Sequence, residues 1–284
     1  MTFRAACVQL CSSTDVAENI LSVERLVREA AELGAAYVQT PEMTNIVQRD
    51  RRALEAELHS EETDPAIKRF SALAAELGII LHFGSLALKA GSRIANRAFV
   101  FGRKGELLAR YDKIHLFDVD LPGGESWRES AVYHPGDRAI VVDLPWAKLG
   151  VAICYDIRFP QLFRAEAHAG ADVLTAPAAF TRQTGEAHWH VLQRARAIEN
   201  GAFVISAAQA GRHADGRETF GHSIIVSPWG EVIAEAGGEG PEVIVADIDP
   251  GRVAEARQRI PALRNERPFA LPETDEPVAL RSAS

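Results

Sequence analysis

Apolar and polar positions along this chain switch repeatedly between a strand-like and a helix-like period. Residues 3–10 form a short, nearly continuous apolar run and read as a strand. From Ser12 the period changes: Val16, Ile20, Val23, Val27 and Ala30 recur at helical spacing as far as Gly34, a natural stop. Ser12, Ser13 or Thr14 is the expected cap of that helix. A second strand spans residues 37–40, and Asp64-Pro65 opens a further helix that ends by Gly78. Residues 79–88 and 96–101 read as strands, with Gly102–Gly105 as a hairpin turn into a strand over 106–110. The pattern then predicts a strand at 149–153, a helix at 159–169, a strand at 172–176 and a long helix at 186–200 closed by Gly201. Strands at 202–207, 223–227, 231–236 and 243–247 precede a last helix at 250–260. Such alternation is the grammar of an α/β protein. Residues 31–41 and 167–177 also echo one another, each reading as helix end, glycine, strand, proline.

Composition narrows the function classes. A chain of 284 residues holds one large domain or two small ones and is long enough to bury a core. No linker or low-complexity run interrupts it before a polar tail at 271–284, which is either free or reaches across a subunit interface. The net charge of −8 argues against a nucleic-acid or membrane partner, since both favour clustered Lys and Arg. The doublet Arg51-Arg52 reads as solvated helix surface. Three cysteines, Cys7, Cys11 and Cys154, leave at least one unpaired within a monomer and suit a reducing compartment. No secretory leader and no membrane-length apolar stretch is visible, so the cytoplasm is the expected location.

Three short contexts carry chemistry. Residues 149–153 end on Cys154, which places a thiol at the C-terminal end of a core strand, where α/β folds tend to keep their sites. Taken alone that thiol is more often inert core. The strand at 37–40 ends in Pro41 and delivers Glu42, and Lys113 stands among apolar and aromatic residues in Tyr111–Asp118 rather than in a charge run. A thiol of ordinary pKa is mostly protonated at neutral pH and needs a base or a neighbouring cation. A carboxylate can take its proton and an ammonium can hold negative charge on the reacting atom, so each of the three has a distinct task. His188 and His190, two apart on a helix, face different ways and make a poor metal pair. The Gly237-Gly238 pair reads as a turn, and no dinucleotide or phosphate glycine loop is present.

These three contexts, in this order and at this spacing, resemble the nitrilase superfamily of carbon–nitrogen hydrolases. The resemblance runs from Phe3 to about Phe269 and is closest to the amidase branch that contains omega-amidase and deaminated glutathione amidase. It is strengthened by Pro177–Phe180, Thr184-Gly185, Ala187–Trp189, Gly221–Ser223 and Pro228–Gly230. It implies one hydrolase domain over residues 1–270, built as a four-layer α-β-β-α sandwich in which two mixed sheets pack face to face. It implies Cys154 as nucleophile, Glu42 as general base and Lys113 as the group that stabilises the tetrahedral intermediate. A second glutamate helps to position the lysine in this family; the local pattern points to Glu129, with Glu125 second. The implied reaction is amide hydrolysis through a thioester, with no metal or organic cofactor, in a homodimer or larger homo-oligomer.

Arg158 matches a position at which relatives bind a substrate carboxylate. Phe117, Tyr155, Phe180 and Trp189 are read as pocket walls, although core packing alone accounts for most such aromatics. Residues 207–213 resemble the deaminated glutathione amidase branch, with Arg212 available to a second carboxylate. The expected substrate is therefore deaminated glutathione; the alternative is 2-oxoglutaramate, or another small amide or nitrile. From other classes, a thiol hydrolase pairing Cys154 with His115, His188 or His222 stays open, as does a non-catalytic binding protein on the same scaffold.

Overall fold

The computed structural model describes residues 1–121 and 124–270. The first sheet runs in the order Glu242–Ile248, Phe3–Gln9, Tyr37–Thr40, Ile80–Ala90, Arg93–Phe101, Leu107–Asp112, with Tyr133–His134 paired off Arg93–Phe101. The second runs Ile140–Asp143, Lys148–Val151, Val173–Thr175, Phe203–Ser206, Ile224–Val226, Val232–Glu235. Both follow one plan: three parallel strands at the centre, one antiparallel strand on one side and two on the other. The echoing segments supply the middle parallel strand of each sheet, Tyr37–Thr40 and Val173–Thr175. Their shared grammar is thus a structural equivalence.

Alternation along each strand assigns the layers, because successive side chains point to opposite faces. Phe3, Ala5 and Cys7 face inward and share a buried core with Leu149, Val151, Val173, Phe203 and Ile225 of the second sheet. Ala6 and Val8 face outward, where Leu26 and Val27 of the helix Val16–Glu32 and Phe70 and Leu73 of the helix Pro65–Leu77 cover them. Leu162 and Phe163 of Pro160–His168 and Trp189 and Ala197 of Arg182–Asn200 pack against the second sheet. The result is the expected helix–sheet–sheet–helix sandwich. Each large apolar side chain so enclosed contributes about 1.5–3 kcal/mol relative to exposure. Two buried amides bridge the seam: Gln39 Oε1 accepts from Ala207 N at 2.7 Å and Gln9 Oε1 from Ser223 N at 3.0 Å, each joining one sheet to the other.

Local differences from the sequence reading have physical causes. The helix Val16–Glu32 is capped by Asp15, not by Ser12, Ser13 or Thr14. Its carboxylate accepts from Glu18 N at 3.0 Å, and a negative charge suits the positive end of the helix. Ser13 instead donates its hydroxyl to Glu18. Asp64 and Gly78 behave as expected, the first accepting from Ala66 N and Ile67 N, the second closing the helix at φ +64°. The helix Arg182–Asn200 starts four residues before the expected 186 because Thr181 caps it. Arg51 and Arg52 lie exposed at the start of the helix Arg51–Glu57, as the doublet suggested, while several short elements carry too little periodicity to be read: the hairpin Asp118–Asp120/Ser126–Arg128, the strand Ile140–Asp143 and the hairpin Ala210–Arg212/Glu218–Phe220. Among the described residues no helix is long and apolar enough to cross a membrane. The tail at 271–284 lies outside the described residues.

Candidate active site

Glu42, Lys113 and Cys154 come together from three different strand ends. Tyr37–Thr40 ends at Pro41 and hands on Glu42; Leu107–Asp112 hands on Lys113; Lys148–Val151 leads through Ala152 and Ile153 to Cys154. Cys154 opens the 3-10 turn Cys154–Arg158 with φ +49°, a left-handed conformation costly for a residue with a Cβ. Its N–H is tied to the Pro177 carbonyl at 2.9 Å. The strand at Lys113 is fixed from both sides. Arg97 grips Asp112 with two bonds of 2.6 and 2.8 Å, Lys113 N donates to Asn96 O at 3.0 Å, and Gly136 N donates to Lys113 O at 2.9 Å. Gly136 is required there, because a methyl group would run into the Asp112 backbone.

The buried ammonium of Lys113 is held by two carboxylates. It donates to Glu42 Oε1 at 2.8 Å and to Glu129 at 2.8 and 3.1 Å, and its side chain is only 2 % exposed. Asn96 Nδ2 bridges the same carboxylates at 2.9 and 3.1 Å, while Phe117 N donates to Glu129 at 2.6 Å. The other oxygen of Glu42 accepts from Ala179 N at 2.9 Å. Of the two glutamates considered for the supporting position, Glu129 occupies it; Glu125 accepts instead from the Trp127 indole.

Burial and charge set the protonation states. Burial alone favours a neutral Glu42, yet the Lys113 charge and the donors around it hold its pKa below the ordinary 4.5. Burial likewise disfavours charge on Lys113, but Glu129 and Glu42 outweigh it and keep the ammonium well above its usual 10.5. Burial and then the adjacent Glu42 charge push the Cys154 thiol well above 9.0, against the pull of Lys113. At neutral pH the group is therefore a thiol beside a carboxylate base and a fixed ammonium. The Tyr155 N–H, next in the chain to the thiol, has no acceptor among the described residues.

Asp156 locks this arrangement, and sequence reasoning missed it although it stands two residues after the cysteine. It is fully buried and accepts from Tyr111 Oη at 2.7 Å, Ile153 N at 2.9 Å, and His115 N and Nδ1 at 2.9 and 2.7 Å. One carboxylate thereby fastens the cysteine turn to the segment that carries Lys113. Asn96 was missed as well, and nothing local in the sequence marks it.

A cleft of about 220 Å³ opens onto Glu42, Lys113, Glu129 and Cys154 and is walled by Phe117, Trp127, Tyr133, Tyr155 and Phe180. Phe117, Tyr155 and Phe180 thus lie where they were expected; Trp189 sits behind them, 1 % exposed and packed on Phe180 at 5.0 Å. Arg158 and Arg212 are not among the lining residues. Arg158 rests over the rings of Tyr155 and Phe180 at 5.8 and 5.4 Å with Nη1 3.3 Å from His188 Nδ1, and Arg212 is exposed on its hairpin. Arg217, five residues on, lines the cleft instead.

The histidines weighed as alternative bases are engaged elsewhere: His115 with Asp156, His188 with Arg158, and His222 with Glu235, and none of them lines the cleft. His190, His222 and Glu235 form the one group among the described residues spaced to hold a metal ion, with both imidazoles 2.8 Å from Glu235 Oε1. That group too lies outside the cleft lining.

Comparison with known proteins agrees with this geometry. Residues 4–258 match the carbon-nitrogen hydrolase family. The chain is 42 % identical over 267 residues to omega-amidase NIT2 of Xenopus tropicalis, covering 93 % of this chain and 95 % of that one. It is 36 % identical over 271 residues to deaminated glutathione amidase of Yersinia enterocolitica, covering 92 % of each. The crystal structure of the C. elegans NitFhit protein superposes with a TM-score of 0.85 at 32 % identity, covering 94 % of this chain but only 65 % of that one. The chain belongs to the carbon–nitrogen hydrolase family, within the nitrilase superfamily, and is a hydrolase of non-peptide carbon–nitrogen bonds.

Proposed function

We propose that the protein is an amidase that cleaves a small carboxylate-bearing amide, deaminated glutathione, with Cys154 as nucleophile, Glu42 as general base and acid, and Lys113 as oxyanion holder. The observation that carries this reading is the buried Lys113 ammonium clasped between Glu42 and Glu129 in the same cleft as the Cys154 thiol. Attack by sulfur on the amide carbon forms a C–S bond as the thiol proton passes to Glu42. The carbonyl oxygen becomes an oxyanion opposite Lys113 Nζ and the Tyr155 N–H. Collapse breaks the C–N bond, and Glu42 returns its proton to the leaving amine. Glu42 then takes a proton from water, which attacks the thioester; the carboxylic acid leaves and the thiol is restored. With deaminated glutathione the products are cysteinylglycine and 2-oxoglutarate. Glu129 and Asn96 hold Lys113 and Glu42 in register throughout.

Substrate choice is supported by residues 207–213 and the hairpin that follows, which bring an arginine to the cleft. The higher identity to an omega-amidase favours 2-oxoglutaramate as the second reading. Both substrates release 2-oxoglutarate, so one assay ranks them: turnover of each by the wild-type protein, with Cys154→Ala as control. Preference for deaminated glutathione, lost in the variant, is the expected result. Preference for 2-oxoglutaramate moves the protein to the second reading, and hydrolysis that survives Cys154→Ala overturns the mechanism.

A further inference from the structure

Four arginines line the cleft, and two of them are already neutralised. Arg51 pairs with Glu55 at 2.8 Å and Arg128 with Asp120 at 2.8 and 2.9 Å. Arg49 and Arg217 have no carboxylate within 4.0 Å among the described residues, and both lie against the same indole, Trp127, at 5.3 and 4.8 Å. Arg217 is the inner of the two: it is half-buried, donates to Ala179 O at 2.6 Å, and has a buried Nε with no acceptor. Of the two acids nearest in sequence, Asp215 accepts the Arg217 backbone N–H at 2.9 Å and Glu218 lies 3.7 Å from Arg182.

We infer that Arg217, set over the Trp127 ring, binds the carboxylate at the far end of the substrate's acyl half, so that the cleft selects short aliphatic amides ending in a carboxylate. The inference rests on the amidase reading above. Its chemistry follows from three features. A guanidinium stacked on an aromatic ring is weakly hydrated and oriented before ligand arrives, and its planar fork suits two parallel bonds to a carboxylate. Its placement is right, since a single residue separates it from the reacting groups: Ala179 N donates to Glu42 while Ala179 O accepts from Arg217. A five-carbon chain spans about 5 Å between its terminal carbons, from C–C bonds near 1.5 Å, so the carboxylate partner has to line the same cleft as the thiol, as Arg217 does.

The third feature is charge. Glu42 and Glu129 share one ammonium, so the catalytic end of the cleft repels a second anion, and Arg217 supplies the counter-charge away from it. The hairpin that carries Arg217 is itself pinned by His213, whose Nδ1 lies 2.8 Å from Ser12 O in the segment after the strand Phe3–Gln9 and whose Nε2 lies 2.8 Å from Thr219 Oγ1 across the hairpin.

The test uses glutaramate, which has an amide at one end and a carboxylate at the other, and pentanamide, its uncharged counterpart of equal length. Binding of glutaramate to the Cys154→Ala protein is measured by calorimetry with and without Arg217→Met and Arg217→Lys. The ratio of kcat/KM for glutaramate over pentanamide is measured with the nucleophile intact. Loss of charge-assisted bonds to the carboxylate weakens glutaramate binding and lowers the kcat/KM ratio by about 10- to 100-fold in Arg217→Met, with Arg217→Lys in between. A ratio that survives Arg217→Met overturns the inference, because both substrates then lose equally and the arginine only braces Ala179. Failure of the Cys154→Ala protein to bind glutaramate also overturns it. Binding that depends on Arg217 in a protein that hydrolyses neither amide leaves the subsite standing and removes the amidase reading.

Discussion

Replacing Glu42 by glutamine separates the two effects that this carboxylate has on Cys154. In the proposed mechanism it accepts the thiol proton during attack; as a fixed negative charge it holds the thiol pKa up beforehand. Glutamine keeps the shape and one oxygen for Lys113 and Asn96 but has neither property. Loss of the general base lowers amide turnover by about 10²- to 10⁴-fold. Loss of the neighbouring like charge lowers the thiol pKa, although burial still holds it up, and so raises the thiolate fraction while the pKa stays above the assay pH. A less basic thiolate is also a poorer nucleophile, with a Brønsted slope of about 0.4–0.5, so each tenfold gain in thiolate raises the alkylation rate by about three- to fourfold. The assay is the iodoacetamide rate at Cys154 at pH 8, followed by peptide mass, beside kcat on the amide. Cys7, fully buried, and Cys11, part-exposed, serve as internal references. Slower alkylation of Cys154 in Glu42→Gln would refute the electrostatic assignment, and turnover within tenfold of wild type would refute the role of base.

Lys113→Met leaves two buried carboxylates facing each other across Asn96, which costs about 3–5 kcal/mol in urea unfolding at pH 7. The same change abolishes turnover, whereas an enzyme working through Cys154 and a histidine would barely respond. Asp156→Asn weakens several bonds to one fully buried group at once. About 2–4 kcal/mol of stability and most of kcat are lost together, checked by denaturation and by steady-state kinetics. The pH dependence follows from the direction of the shifts. Glu42 has a folded pKa below its unfolded value, so its stabilising effect is complete above about 4.5 and is lost only as pH falls through the lower folded value. Cys154 and Lys113 are raised, so kcat/KM is flat from about pH 5 to beyond 9, and an acid limb centred above pH 5 contradicts the assignment.

Much of the fold was legible because its central parallel strands are almost wholly buried and therefore read as apolar runs bounded by glycine or proline. Glu42, Lys113 and Cys154 stood out because each is a polar residue set at the end of such a run. Local sequence could not show what binds them together. Asn96 lies inside a strand whose other face is core, and its contacts to Glu42 and Glu129 exist only after two remote segments meet. The exchange of Arg212 for Arg217 at the cleft has the same origin. Both lie on one hairpin, and the registry Arg212 with Glu218 sends Arg212 to solvent while the turn brings Arg217 back over Trp127. Asp15 displaced three hydroxyl residues as a cap because charge at a helix terminus outweighs proximity to the preceding strand.

The site belongs to neither sheet alone. Glu42 follows the middle parallel strand of the first sheet, and Pro177, which fixes Cys154 N, follows the middle strand of the second. The two prolines converge on Gly84, where an added methyl would overlap the Thr40 carbonyl, the Pro41 backbone and the Pro177 ring. The pseudo-equivalent halves are thus pressed together at their prolines, and only a glycine allows the approach. Ala179 N then reaches Glu42 from the second half, and Gln39 and Gln9 of the first half answer Ala207 and Ser223 of the second. Gly84→Ala tests whether that closeness matters. The clash costs about 1–3 kcal/mol, and because it falls where the halves meet it also spreads Glu42 from Ala179 and from Cys154. The expected outcome is a folded protein with lowered thermal midpoint and turnover reduced more than stability alone explains at a temperature well below unfolding. Normal kcat at 25 °C with only the midpoint lowered would mean that the base is positioned by its own strand, and that the seam contributes stability but no alignment.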